Sequence, residues 1–186
     1  MSEDTSPPKS SQPKQWYVLR DFRKRNAKSP AYKTLPGLGV QCFTPMHWVV
    51  FTSGGRKIRE YVPVIQSLLF AFDTRETLEP IVERDRALQF QFRRGGGQGY
   101  LMTVPADEMQ RFIKAVGNDP TPIYYMPGEL TPDKIGKEVI VIGGPLDGYR
   151  GVLLKMQGSK KRRLIVEIKG LMAAAVEVNP EYVRFP

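Results

Sequence analysis

The sequence is poor in the residues that most often carry chemistry. Its 186 residues include one cysteine, Cys42, and one histidine, His47. A single cysteine excludes an internal disulfide framework and any zinc site built on cysteines. Cys42 lies in the apolar stretch 40–44, where a buried core thiol is the expected role. A Cys/His nucleophilic pair needs a base held at hydrogen-bond distance and a third group to orient it. Here the two residues sit five positions apart, on one strand or its turn, so catalysis by the pair is not expected. The sequence has no paired carboxylates in a recognisable cleft motif, no metal cluster and no nucleotide fingerprint. The expectation is a protein that is no enzyme and has no catalytic residues, metal or cofactor. Long apolar runs are missing too. None approaches the ~20 residues of a membrane span, and residues 1–14 lack the basic-then-apolar pattern of a signal peptide. A cytoplasmic protein with no membrane association is expected.

Positive charge is plentiful. The net charge is +9, with 28 Lys and Arg against 19 Asp and Glu. Its distribution says more than its total. Residues 15–116 hold 16 basic and 9 acidic side chains, and residues 134–186 hold 10 and 5. Between them, residues 117–133 carry three acids and no base. Two basic blocks thus flank an acidic connector. Basic blocks suit nucleic acid, or a complex built around it, because Lys and Arg displace counterions from phosphate. The alternative is a solvated surface with an excess of cations.

Residues 1–14 are mostly Ser, Pro, Lys and Gln. They cannot bury enough surface to offset their ordering entropy, so a disordered tail is expected. A strand follows at Trp16–Arg20. Residues 21–35 then place Ala27, Ala31 and Leu35 on one helical stripe, with Ser29 and Pro30 as a helix start inside it. Val40–Thr44 reads as a strand. Trp48–Thr52 and Lys57–Val62 flank a Gly-Gly turn and read as a hairpin. Ser67–Phe72 is nearly all apolar, hence a central, covered strand. Residues 74–82 carry a helical stripe interrupted by Pro80. Leu88–Phe92 alternates as a half-buried strand does, and Tyr100–Val104 returns after the glycine run 95–99. That run is read as a flexible turn, since a phosphate loop needs a helix close behind it. Residues 105–116 make the best helix, with Pro at the start, Asp107 and Glu108 in the first turn and Met109, Phe112, Ile113 and Val116 on one face. The order β-α-β-β-β-α-β-β-α implies an α+β domain with a mixed or antiparallel sheet and flanking helices. The Pro-, Gly- and acid-rich segment 117–133 reads as a linker. Residues 134–186 hold five short strand candidates punctuated by Gly and Pro, which predicts a small β-barrel. Within it, Leu171–Val176 has a composition that favours helix.

The strongest motif is Gly144-Pro-Leu-Asp-Gly-Tyr-Arg-Gly151, set between an apolar strand and Val152. Glycines at 143, 144, 148 and 151 permit a tight loop in conformations that other residues resist. The segment resembles a KOW motif, in which Gly144, Pro145, Gly148 and Gly151 belong to the first loop of an SH3-like barrel. Ahead of it, the chain opens on Trp16-Tyr-Val-Leu, continues with Val40-Gln-Cys-Phe-Thr-Pro45 and leads through Arg59-Glu-Tyr-Val-Pro63 into Ser67-Leu-Leu-Phe70. This series is similar to the N-terminal domain of NusG-type transcription factors, and the resemblance spans about residues 15–186. It is closest to the paralogs that serve single operons, such as the UpxY type. Gln66, where relatives often have Pro, and Leu68, where many have an aromatic residue, depart from the pattern.

The resemblance implies four segments: a tail (1–14), a NusG-like N-terminal domain (15–116), a linker (117–133) and a KOW domain (134–186). It implies binding rather than catalysis. The expected function is regulation of pausing or termination on elongating RNA polymerase, most specifically as an operon-specific antiterminator. Such domains dock an apolar patch on the clamp region of polymerase, and the matching positions are Tyr17, Leu68 and Phe70. The alternative is that all three are core residues, since strand side chains alternate faces. Arg84, Arg86, Arg93 and Arg94 would approach DNA, and Lys160, Lys161, Arg162 and Arg163 at a hairpin tip would grip the phosphates of DNA or nascent RNA. For both groups the alternative is a solvated face. The barrel would meet a ribosomal protein or a termination factor, and a monomer is expected. A competing assignment is an RNA-binding or ribosome-associated KOW protein that never touches polymerase.

Overall fold

The computed structural model describes residues 13–25, 27–95 and 98–186. Most of the tail, residues 1–12, falls outside them. The chain divides into two compact units, Met1–Pro105 and Ala106–Pro186. The division falls before the helix at 106–118, whereas the sequence reading ended the first domain at 116. The fold class is α+β, and every strand pair among the described residues is antiparallel.

The first unit starts with β1 (Gln15–Asp21). One helical turn follows, α1 (Ala31–Thr34), extended by a 3-10 turn over Leu35–Leu38. The longer helix expected over 21–35 does not form. Pro30 is extended, with φ −67° and ψ 151°, so the helix can start only after it. The Asp21 carboxylate reaches across and accepts the Ala31 N–H at 2.7 Å. Ala31 and Leu35 are buried as their spacing implied.

Next come β2 (Gln41–Phe43), β3 (Met46–Ser53), β4 (Arg56–Pro63) and β5 (Leu68–Asp73). α2 (Arg75–Arg84) starts at Thr74, whose hydroxyl accepts the Thr77 N–H at 3.2 Å, and runs through the exposed Pro80. The unit ends with β6 (Leu88–Phe90), β7 (Phe92–Gly95), β8 (Gln98–Leu101) and β9 (Thr103–Val104). β2, β5, β1 and β6 lie side by side in that order, and β9 also pairs with β1. Among the described residues β3 pairs only with β4, and β7 only with β8, so these two ribbons belong to no larger sheet. On one face of the sheet Tyr17, Leu19, Leu69 and Ala71 pack with Ala31, Leu35, Val40 and Leu78. Trp16, Val18 and Phe70 point the other way by alternation, and they are buried too. Burial on both faces explains the unbroken apolar run of β5.

The second unit opens with α3 (Ala106–Asn118), which packs against two later strands, β13 and β14. After it come β10 (Ile123–Tyr125), β11 (Ile135–Val141), β12 (Arg150–Leu154), β13 (Arg162–Ile168), β14 (Met172–Val178) and β15 (Val183–Arg184). Their order across the sheet is β10-β14-β13-β12-β11-β15. Strands β11 to β15 are the barrel strands expected from 134–186. β10 is added to them from the segment read as a linker. Leu171–Val176 also differs from its composition, because Leu171 lies in a turn and Met172–Val176 is strand rather than helix. β14 lies between β10 and β13, so each alanine faces neighbours on both sides: Ala174 opposes Tyr124 in one direction and Val166 in the other. Small side chains fit that crowded position, and pairing on both edges overrides intrinsic helix preference.

Candidate functional site

The 143–151 loop joins β11 to β12. Its ends are pinned by Val141 N–H to the Tyr149 carbonyl at 2.8 Å and Gly148 N–H to the Val141 carbonyl at 2.9 Å. The Asp147 carboxylate accepts the Gly143 N–H at 2.6 Å. Leu146 and Tyr149 turn inward and are buried. Two glycines have reasons that can be read from their surroundings. Gly144 has φ +69°, and a Cβ there would stand 2.7 Å from Cε2 of Tyr182. Gly151 passes so close to β13 that a Cβ would lie 3.0 Å from the Ile165 carbonyl oxygen. The loop is therefore specified by backbone fit and not by a reactive group. Burial pushes the Tyr149 hydroxyl pKa up, and the hydroxyl donates to the Arg111 carbonyl at 3.0 Å. The Arg111 guanidinium lies 4.8 Å over the Tyr149 ring, which ties α3 to the loop.

The cation run 160–163 does not act as a unit. Lys160 and Lys161 are exposed, and Lys161 pairs with Glu177 at 2.7 Å. Arg162 lies over the Phe185 ring at 5.6 Å. Arg163, the second residue of β13, is turned inward and buried. It forms an ion pair with Asp119 at 2.8 Å and donates to the carbonyls of Thr121 and Ala175, each at 3.1 Å. Asp119 also accepts the N–H groups of Thr121 and Glu177. Arg163 is thus committed to the interior and is not open to phosphate. Its acidic partner comes from the segment read as a linker.

Tyr17, Leu68 and Phe70 are all buried, with Phe70 0% exposed. They do not share a face. Tyr17 pairs with Ala71 and belongs to the core beneath α1 and α2, while Phe70 pairs with Val18 and points the opposite way. On that second face Phe70 meets Phe43, ring centroids 6.3 Å apart, and Trp16 meets Phe72 at 5.2 Å.

Arg84, Arg86 and Arg93 are exposed. The Arg94 side chain lies outside the described residues. The sequence reading missed a cleft of about 690 Å³ in the first unit, lined by Arg23, Lys24, Arg25, Lys33, His47 and Glu60 among others. Its wall is built by Asp21. That carboxylate caps α1 and binds Arg23 at 2.9 Å, and Arg23 also pairs with Asp85. The Asp85 hydrogen bond raises the Arg23 pKa; burial opposes it, and the hydrogen bond and charge of Asp21 add to the rise. Gln66 donates to the Arg23 carbonyl at 3.0 Å. Lys24, Arg25 and Lys33 are exposed and give the cleft its positive rim. The signal in the sequence is the run Arg23-Lys-Arg25, which a helix over 21–35 would spread around its surface. Cys42 is half-buried. Burial raises its thiol pKa, and the thiol donates to the Tyr32 carbonyl at 3.5 Å, a structural role.

No family model matches the chain, and no curated protein matches it. Among solved structures, one described as "Domain interaction in Thermotoga maritima NusG" is similar over 92% of this chain and 97% of its own length, at 17% identity and a TM-score of 0.40. No helix among the described residues is long and apolar enough to cross a membrane.

Proposed function

We propose that the chain is a non-enzymatic regulator of transcription elongation that binds RNA polymerase. The observation that carries the reading is the 143–151 loop. Its Gly-Pro…Gly-Val spacing resembles the KOW motif, and the same residues make a backbone-specified loop between β11 and β12 of a small β-unit. An α+β unit opening on a Trp-Tyr strand precedes it, in the order that the resemblance implies. The sheet face bearing Leu68 and Phe70 docks on the clamp region. Because Phe70 is fully buried, that docking requires the face to be uncovered first. Tyr17 supports the same sheet from its opposite face. DNA or nascent RNA runs along the cations of the cleft rim together with Arg84, Arg86 and Arg93. The barrel meets a ribosomal protein or a termination factor.

The operon-specific form of this activity, antitermination at chosen transcripts, is favoured by Gln66. A departure from the pattern of relatives, it is used to hold the Arg23 carbonyl at the cleft. A second reading has one observation of its own. The exposed Phe185 ring is flanked by Lys137 at 5.7 Å and Arg162 at 5.6 Å, which suits an RNA-binding or ribosome-associated protein. Tagged full-length chain, offered core RNA polymerase and total cellular RNA separately, tests both. Retention of polymerase is expected. Retention of RNA with none of polymerase removes the first reading in favour of the second.

A further inference from the structure

Among the described residues the β3–β4 ribbon pairs with no other strand; its own two strands pair over eight positions, from Met46 opposite Pro63 to Ser53 opposite Arg56. Gly54 and Gly55 close it with φ +56° and +76°, the two positive values of a type I′ turn. In such a ribbon, paired residues share a face and successive residues alternate. One face therefore carries Trp48, Val50 and Thr52 with Lys57, Arg59 and Tyr61. That face holds two cations and no acid; the ribbon's only acid, Glu60, lies on the other side opposite Val49.

The aromatic residues on this face are open to solvent. Trp48 and Tyr61 are each 51% exposed and Val50 is 65% exposed. The two rings lie 4.9 Å apart with a 41° tilt. The Arg59 guanidinium sits 4.2 Å from the centre of the Trp48 ring. An isolated two-stranded ribbon is marginal in water, and a tryptophan held outside its core needs a reason of its own. An apolar protein partner would account for the rings but not for the pure positive charge beside them. A base has a flat apolar face to lay on an aromatic ring, and its strand brings phosphate alongside. Arg59 can serve both parts, because guanidinium stacks on rings and forks onto phosphate oxygens.

We infer that this ribbon face binds an unpaired nucleic-acid strand, with bases stacked on Trp48 and Tyr61 and phosphates held by Arg59 and Lys57. Stacking and phosphate contact ask nothing of the sugar, so the strand is bound whether it is DNA or RNA. Duplex is bound more weakly, because its bases are already stacked on one another. The site needs no polymerase.

The protein supplies its own probe. It has two tryptophans, and Trp16 is 3% exposed, so quenching of intrinsic fluorescence by a stacked base reports Trp48. Purified full-length chain is titrated with oligothymidylate and oligouridylate of about 12 nucleotides, and with a duplex of the same length. Quenching by both single strands at similar concentrations is expected. Trp48→Ala should weaken binding, read by anisotropy of a labelled oligonucleotide, about 5- to 150-fold. Trp48→Phe should keep most of the affinity while losing the quench. Arg59→Gln should lower the salt dependence by about 0.7 in log–log slope, the value of one phosphate contact on a single strand. The urea midpoints of all three variants show that the fold is retained. Equal affinity for duplex and single strand overturns the inference, as does unchanged oligonucleotide affinity in both Trp48→Ala and Arg59→Gln. The second outcome would leave the face to a protein partner. Failure to retain polymerase with the quench intact would sink the transcription reading alone.

Discussion

The β3–β4 ribbon and the β13–β14 pair follow one plan and meet opposite surroundings. Each is an antiparallel pair closed by glycine with positive φ, and each carries arginine among apolar residues. β13–β14 has β12 on one edge, β10 on the other and α3 packed against it. The ribbon has no further strand among the described residues. So Arg163 is drawn inside and meets the Asp119 carboxylate, while Arg59 stays outside and lies on an indole ring. Strand pattern alone does not decide whether a cation belongs to the core or to a binding surface. A covering layer decides it, together with the carboxylate that layer brings.

The contrast is broken most strongly at Arg163. Arg163→Ala would leave Asp119 buried without its counter-charge, and removing one partner of a buried pair costs about 3–5 kcal/mol. Arg59→Ala should change stability by less than about 0.5 kcal/mol, as exposed substitutions usually do. Urea unfolding of the two variants measures both. Similar midpoints would mean that the interior pair contributes nothing beyond a surface contact. A smaller effect separates the strands themselves. Ala174→Val adds volume at a fully buried position between Tyr124 and Val166 and should cost about 1–3 kcal/mol through overpacking. On the ribbon, Val50→Ala at a 65% exposed site should fall within about 0.5 kcal/mol of wild type. Thermal melts of the pair provide the check.

The same contrast explains what the sequence made legible. Periodicity and turn residues marked nearly every strand, both longer helices and the hairpin, because those signals are local. For that reason the buried face of α3 is legible at Met109, Phe112 and Val116, although Ile113 is half-buried and Ala115 takes the remaining place, and the apolar run of β5 is legible throughout. Where a second element intervened, local reading misled. Leu171–Val176 has helical composition, yet strands on both edges make it β14. Asp119 sits in a stretch that reads as linker, and only its distant partner Arg163 shows it to be structural. The stripe Ala27-Ala31-Leu35 was real at its last two members and failed at the first, because Pro30 is extended. Tyr17 and Phe70 were grouped although the register of β1 against β5 puts them on opposite faces. The aromatic face of the ribbon could have been paired from sequence by counting outward from Gly54-Gly55. Its exposure could not, because nothing in the strand says that no sheet covers it.

Gly55 and Gly170 allow the sharpest version of the comparison, with the smallest effect. Their φ values are +76° and +74°, and a Cβ added to either would meet nothing within 4 Å. Alanine therefore imposes the same local strain at both sites, about 1–2 kcal/mol for a left-handed residue. Any difference between the variants must come from how each turn is coupled to the rest of its unit. Gly170 closes β13 onto β14, which the sheet and α3 hold in place, so its turn cannot open without disturbing that packing. Gly170→Ala should lower global stability by about the full strain. Gly55 closes a ribbon whose tip can open by itself, at a free energy below that of global unfolding. Gly55→Ala should then leave the urea midpoint nearly unchanged, within about 0.5 kcal/mol, and instead speed amide exchange at Phe51, Ser53 and Ile58, whose N–H groups lie in the hydrogen-bonded pairs of the ribbon. Equal losses of global stability would mean that the ribbon folds as one with its sheet. In that case its exposed rings would be held rigid for whatever strand they meet.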